Sequence, residues 1–179
     1  MFCGFGGQGI VLAGVIIGQA AVYDGLNVAQ ASSYGSEARG SACRSEIILA
    51  CQPIVYPHID YADILGVMSQ PGYDKFRARL RNEKSLLVFD ENQVEILKDI
   101  PQFQQGFPAT EIAIKQFNKK IVANIIFLSA IIGWRKLVSP ASLEKSVRKN
   151  IPSQFVNLNL EAMSAGLELG RKISLIPNS

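Results

Sequence analysis

The chain has 179 residues, a formal net charge of +3, 48% hydrophobic residues and 18% charged residues, against roughly 25% charged in an average soluble domain. This is enough material for one core, and the composition excludes a disordered chain, a nucleic-acid-binding tail and a small disulfide scaffold. The basic residues are scattered along helix-like stretches without interleaved aromatics, so no nucleic-acid partner is expected.

Residues 2–3 form a short strand leading into Gly4-Phe5-Gly6-Gly7-Gln8-Gly9. Its brevity leaves room for a start upstream of Met1. Apolar residues at Val11, Leu12, Val15, Ile16 and Val22 then fit a largely buried helix. Gly25 closes that helix, and residues 26–29 read as a second strand. Strand, glycine turn, helix and strand make a βαβ unit, which implies a parallel sheet with a right-handed crossover. Residues 31–45, rich in Ser, Gly and Arg, read as a loop, followed by strands at 45–50 and 64–68.

A turn over Ser69-Gln70-Pro71-Gly72 precedes a helix at 73–81. A buried strand at 85–89 is followed by a short extended piece at 104–109. Four helices are expected after it, at 110–118, 121–134, 142–150 and 155–172. The whole reads as one α/β domain over residues 1–179, Rossmann-like and three-layered, with a mainly parallel sheet and a helical C-terminal part.

Cys3, Cys43 and Cys51 have no CxxC spacing, and His58 is the only histidine. No zinc or iron–sulfur ligand set can be assembled from them. An odd cysteine count without a signal peptide points to a reducing cytoplasm. The apolar runs at 10–22 and 121–134 are shorter than the ~20 residues that cross a hydrocarbon core, and the first lacks a basic leader. No membrane partner is expected.

Gly4, Gly6 and Gly9 satisfy G-x-G-x-x-G, whose glycines let backbone amides approach an anion at a helix N-terminus. A dinucleotide site also needs an acidic residue at the end of the second strand. Asp24 has the spacing but stands at the wrong end of that strand. Packing alone accounts equally well for Gly4 and Gly9. Gly6-Gly7-Gln8 offers bare donors suited to an anion or to another subunit's backbone. The polar segment Ser33-Tyr34-Gly35-Ser36-Glu37-Ala38-Arg39-Gly40 should lie beside this turn, at the carboxyl edge of the sheet. Glu37 and Arg39 have the alternative reading of a surface ion pair, His58 of a structural or solvent-facing side chain, and Asp60 and Asp63 of turn caps. Cys43 and Cys51 read as packed thiols, and Trp134 as core or interface.

Together, Gly4–Gly9 and Ser33–Gly40, with Gln52-Pro53-Ile54, Ala62-Asp63 and the segment 124–133, resemble the gamma subunits of the 2-oxoacid:ferredoxin oxidoreductases. The loop followed by Ala42-Cys43-Arg44-Ser45-Glu46 is most similar to the 2-oxoglutarate branch, with pyruvate or branched-chain 2-oxoacids as alternatives. Ser41 departs from the second glycine often found after Arg-Gly. The resemblance implies a non-autonomous subunit of an enzyme that decarboxylates a 2-oxoacid oxidatively in the presence of coenzyme A and reduces ferredoxin. Thiamine diphosphate, magnesium and iron–sulfur clusters are expected on alpha, beta and ferredoxin-like delta partners, and no catalytic residue or cofactor on this chain. Gly6, Gly7, Gln8, Gly9, Ser33, Tyr34, Gly35, Glu37, Arg39 and Gly40 are then the surface meeting a partner subunit or coenzyme A, with Arg39 as its polar anchor. A stand-alone anion- or nucleotide-binding module is the other reading.

Overall fold

The computed structural model describes residues 1–33, 42–97 and 101–174. Six strands form one sheet in the order β2-β3-β1-β4-β5-β6. They are β1 (Phe2–Phe5), β2 (Asn27–Ser33), β3 (Ala42–Ala50), β4 (Ile64–Val67), β5 (Leu86–Asp90) and β6 (Phe103–Phe107). The pairs β1–β4, β4–β5 and β5–β6 are parallel, whereas β3 is antiparallel to both β1 and β2. The sheet is thus mainly parallel, as expected, with one correction. The two strands of the first βαβ unit run the same way but do not pair, because β3 is inserted between them.

The same insertion corrects the expected loop at 31–45. Both strands reach into it, with Ser33 opposite Arg44, because a hairpin lets polar residues pair at the edge of a sheet where water remains accessible.

Six α-helices connect and cover the sheet: α1 (Ile10–Tyr23), α2 (Gln70–Phe76), α3 (Ala109–Phe117), α4 (Ala123–Arg135), α5 (Pro140–Asn150) and α6 (Val156–Ser174). No helix among the described residues is long and apolar enough to cross a membrane. The expected turn at Ser69–Gly72 is instead the start of α2. Ser69 caps it by accepting from the Gly72 amide at 3.2 Å, and Pro71 stands in its first turn, where a missing N–H costs nothing. The helix ends at Phe76, short of the expected 81, and continues as one 3-10 turn. Ser139 caps α5 in the same way. Asp24 fastens that cap, accepting from the Ser139 and Ser142 hydroxyls at 2.7 and 2.6 Å. Its carboxylate therefore ties α1 to α5.

The larger core lies on one face, under α1 and α3 to α6, and is filled by Ile16, Ile126, Phe127, Leu128 and Ile131 among others. Within it α4 and α6 touch backbone to backbone. A methyl group on Gly133 would fall 2.5 Å from the Leu167 carbonyl oxygen, and one on Gly170 would overlap the Ala130 carbonyl. On the opposite face α2 covers a smaller core around Leu65, Val67, Tyr73 and Leu87. Cys3 is buried, and so is Cys43, as expected of a packed thiol; the same reading of Cys51 is corrected, because it is exposed, following the last residue of β3.

Beside the smaller core, Glu46 of β3 is only 3% exposed and accepts from Arg44 at 2.8 Å and Arg79 at 2.9 Å. Arg79 also donates to the carbonyls of Ile59 and Asp60, and His58 lies 3.6 Å from the carboxylate. One buried acid thus holds the connection between β3 and β4 under the sheet. Asp63 pairs with Arg81 at 2.7 Å. Burial alone would raise the Glu46 pKa, but the hydrogen bonds from Arg79 and Arg44 outweigh it and hold the carboxyl below the ordinary glutamate range.

Two outcomes follow. Gly170→Val should force α6 from α4 and lower stability by about 2–3 kcal/mol, read from urea melts with an unchanged m value. A depressed folded-state pKa gives stability that is fully present above the unfolded glutamate pKa and lost as pH falls through the lower, folded one. Glu46→Gln should therefore flatten the acid limb of the stability–pH curve, and an acid limb as steep as that of the wild type would refute this.

Candidate functional site: a bare glycine turn at the carboxyl edge

The turn between β1 and α1 is closed by a side chain. Gln8 Oε1 accepts from the Phe5 amide at 2.6 Å, and Gln8 Nε2 donates to the Met68 carbonyl at 2.9 Å. Both halves of the amide are therefore committed to the chain's own backbone, bridging the ends of β1 and β4. Gly4 must be small, because a methyl there would lie 2.5 Å from Gln8 Oε1 and 2.7 Å from Ile10 Cδ1.

Gly9 is fixed twice over. Its φ of 72° lies in the left-handed region, and a methyl would overlap the Asn124 side chain. Asn124, buried in the first turn of α4, donates from Nδ2 to the Gly9 carbonyl at 3.2 Å. Its Oδ1 accepts from the Ile125 amide at 2.9 Å. The N-termini of α1 and α4 are thereby held together at this edge.

Gly6 and Gly7 differ from their neighbours. Both are exposed, and a methyl on either would meet nothing within 4 Å. Gly7 needs its glycine for a φ of 92°, but Gly6 is outside the left-handed region. Among the described residues nothing demands a glycine at position 6. The start of α1 is equally bare, with no side-chain cap and no acid in its first turn. By contrast, the start of α3 is occupied. Asp90, fully buried, accepts from the Thr110 amide at 3.0 Å and the Thr110 hydroxyl at 2.5 Å. Burial raises the Asp90 pKa despite these bonds. Exposed backbone at an uncapped helix start, where the helix dipole is positive, accepts anions and carbonyl groups. Lys120 stands one turn before Asn124 and reaches Gln93 Oε1 at 3.4 Å, adding a cation to this edge.

Of the expected contact residues, Gly6, Gly7, Gln8 and Gly9 form this turn. Ser33 ends β2 at the same edge, since Ala42, opposite Phe5, is where the chain returns. Tyr34, Gly35, Glu37, Arg39 and Gly40 lie outside the described residues. Asn124 and Lys120 were not singled out as site residues. The one signal for Asn124 was a lone amide at the head of an apolar run. Trp134, read as core or interface, packs against Phe103 and Phe107 at 5.8 and 6.3 Å between ring centroids, with Arg135 over its ring.

The described residues bring no three His, Cys, Asp or Glu side chains together in a metal-binding group. Burial pushes the Cys3 thiol up to about 12, leaving it protonated at neutral pH. The residues do not fit an iron–sulfur cluster. Gly9→Ala should cost about 1–3 kcal/mol through its backbone conformation and its clash with Asn124, whereas Gly6→Ala should leave the thermal midpoint unchanged. Parallel thermal melts check both.

The chain is similar to known proteins along most of its length. The family model for pyruvate ferredoxin/flavodoxin oxidoreductase matches residues 1–169. The chain is 39% identical over 173 residues to the 2-oxoglutarate synthase subunit KorC of Methanocaldococcus jannaschii, covering 95% of this chain and 92% of that one. A keto/oxoacid ferredoxin oxidoreductase gamma subunit from Geobacter sulfurreducens superimposes with a TM-score of 0.83 at 35% identity, covering 96% of each chain. A 2-oxoglutarate:ferredoxin oxidoreductase from Magnetococcus marinus, solved with 2-oxoglutarate, coenzyme A and succinyl-CoA, shares the fold with a TM-score of 0.82 at 19% identity, over 96% of this chain and 30% of that one. The chain belongs to the pyruvate ferredoxin/flavodoxin oxidoreductase family, as a subunit of the gamma type.

Proposed function

We propose that this chain is the gamma subunit of an oxidoreductase acting on 2-oxoglutarate, and that its carboxyl edge is the surface that joins the complex. The likeness to the M. jannaschii 2-oxoglutarate synthase subunit along nearly the full length of both chains carries this reading. The complex converts the 2-oxoacid and coenzyme A to acyl-CoA and carbon dioxide and passes the electrons to ferredoxin. Thiamine diphosphate, magnesium and the clusters reside on alpha, beta and delta partners in the cytoplasm. This chain, one domain throughout, supplies a shaped wall near the entrance for coenzyme A.

The bare backbone at Gly6-Gly7, left open because Gln8 and Asn124 satisfy the rest of the turn, supports this division of labour. In this reading the segment Ser33–Gly40 lies over the turn, and Arg39 grips a carboxylate or carbonyl of a partner subunit. Its planar fork suits such groups bidentately.

Co-purification of the tagged chain from its native cells should recover the thiamine-diphosphate-binding pair, and the complex should reduce ferredoxin with 2-oxoglutarate in preference to pyruvate. Arg39→Ala should weaken assembly in a pull-down with the alpha and beta subunits. Unchanged assembly together with unchanged coenzyme A affinity would overturn the contact role. Preference for another 2-oxoacid would overturn the substrate.

A further inference from the structure

The sheet ends in an edge that carries none of the usual protection. β2 is a terminal strand. It pairs with β3 residue for residue from Asn27 to Ser33, without a bulge, and contains neither proline nor a charged side chain. Exposed edges are ordinarily blunted by one of these devices, because their free N–H and C=O groups template pairing with another strand. The register fixes which groups are free. The Gly66 and Met68 amides donate to the Met1 and Cys3 carbonyls, so Phe2 and Gly4 turn their backbone to β3. Opposite them stand Ser45 and Cys43. Arg44, Glu46 and Ile48 therefore bond to β2, through Ser33, Ala31 and Ala29, since the bonding direction alternates along a strand. Val28, Gln30 and Ser32 direct their amides and carbonyls outward, where no described strand lies.

Helix α1 continues this edge. A methyl on Gly18 would lie 3.3 Å from the Val28 side chain, so α1 lies over β2 at that residue. Next around the helix come Val11, Val15 and Val22, whose spacing places them in one row. Val22 is 50% exposed, and Val11 and Val15 are half-buried. α1 has no charged residue. From Gly4 to Ser33 the one charged side chain is Asp24, which is spent on Ser139 and Ser142. Lys145 and Lys149 of α5 reach Tyr23 and Gln19, farther round α1 from β2. An unpaired strand edge and an apolar helix row thus form one uncharged surface.

We infer that β2 and α1 are a self-association surface, occupied by a second copy of this chain. A two-fold axis at Gln30 sets β2 antiparallel to its copy, with Val28 opposite the copy's Ser32 and Gln30 opposite itself. The outward residues are symmetric about Gln30, so each free amide meets a free carbonyl. About six hydrogen bonds form, two for each facing pair. The valine row meets its own copy across the same axis. A surface that faces itself must not repeat a charge, and this one has none to repeat. A strand from a different protein would impose no such condition. The antiparallel arrangement turns the two carboxyl edges to opposite ends and leaves both open, so the inference does not depend on the substrate or on the role of Arg39.

Sedimentation equilibrium and amide hydrogen exchange on the full chain test it. Concentrated protein should sediment at twice the 19.5 kDa of one chain. The Val28, Gln30 and Ser32 amides should then exchange about 100-fold more slowly than after dilution to monomer. Val22→Lys should weaken the dimer by about tenfold or more, because like charges meet across the axis, while the diluted variant keeps the wild-type thermal midpoint. Ser32→Pro, which deletes one outward donor without touching the bonds to β3, should also weaken it. A chain that stays monomeric at every concentration overturns the inference, as does a dimer whose outward β2 amides exchange like the monomer's or one indifferent to both substitutions. Protection of those amides only in a native complex holding one copy of this chain also overturns it, because a different subunit's strand would then occupy the edge.

Discussion

The arrangement of the carboxyl edge depends on how one side-chain amide is spent. A turn from strand to helix leaves backbone donors and acceptors that must find partners if they are buried. Gln8 satisfies two of them at once, joining the tip of β1 to the tip of β4. Asn124 then joins the start of α1 to the start of α4. With those positions fixed from inside, the exposed part of the turn can consist of main chain alone. Among the described residues a methyl at Gly6 would meet nothing within 4 Å, so there is clearance at that position. A rigid, bare edge is a better docking surface than a flexible one, because little conformational freedom remains to be lost on contact.

The opposite end of the sheet is organised by charge. Glu46 gathers Arg44 and Arg79, and Arg79 passes the constraint to the carbonyls of Ile59 and Asp60. A buried carboxylate with two guanidinium partners is costly to break and resists rearrangement. The connection it anchors carries Val55, 96% exposed, and Tyr56 and Tyr61, also exposed. Two prolines, Pro53 and Pro57, stiffen the same stretch. Here charges fasten a loop while its apolar groups remain exposed.

The helices were legible because their signals are local. Periodicity placed α3 to α6 within two residues of their observed ends, and Gly25 did end α1. The start of α2 was misplaced because Gln70-Pro71-Gly72 reads as a turn, whereas proline and a serine cap also open helices. The position of β3 was not legible. Nothing in residues 42–50 states that the strand lies between β1 and β2 and runs against both, since that choice depends on hairpin pairing with β2 across residues far from any local signal. The site was legible in outline, as glycines beside a polar segment. The division between glycines that must pack and glycines that must be bare depends on Asn124, more than a hundred residues downstream.

That division changes what the glycine motif means. In a phosphate-binding loop one glycine makes the turn, one lets the backbone approach the phosphate and one lets helix and strand pack closely. Here Gly4 and Gly9 are already required by Gln8, Ile10 and Asn124, and the second strand supplies no acid for a ribose. Only Gly6 and Gly7 remain for an outside partner, along with an uncapped helix start. Exposed backbone at such a helix start can seat a carbonyl or a carboxylate. Gln8 and Asn124 commit much of this edge to internal bonds. In the proposed function this edge is a wall of a larger site rather than a site of its own.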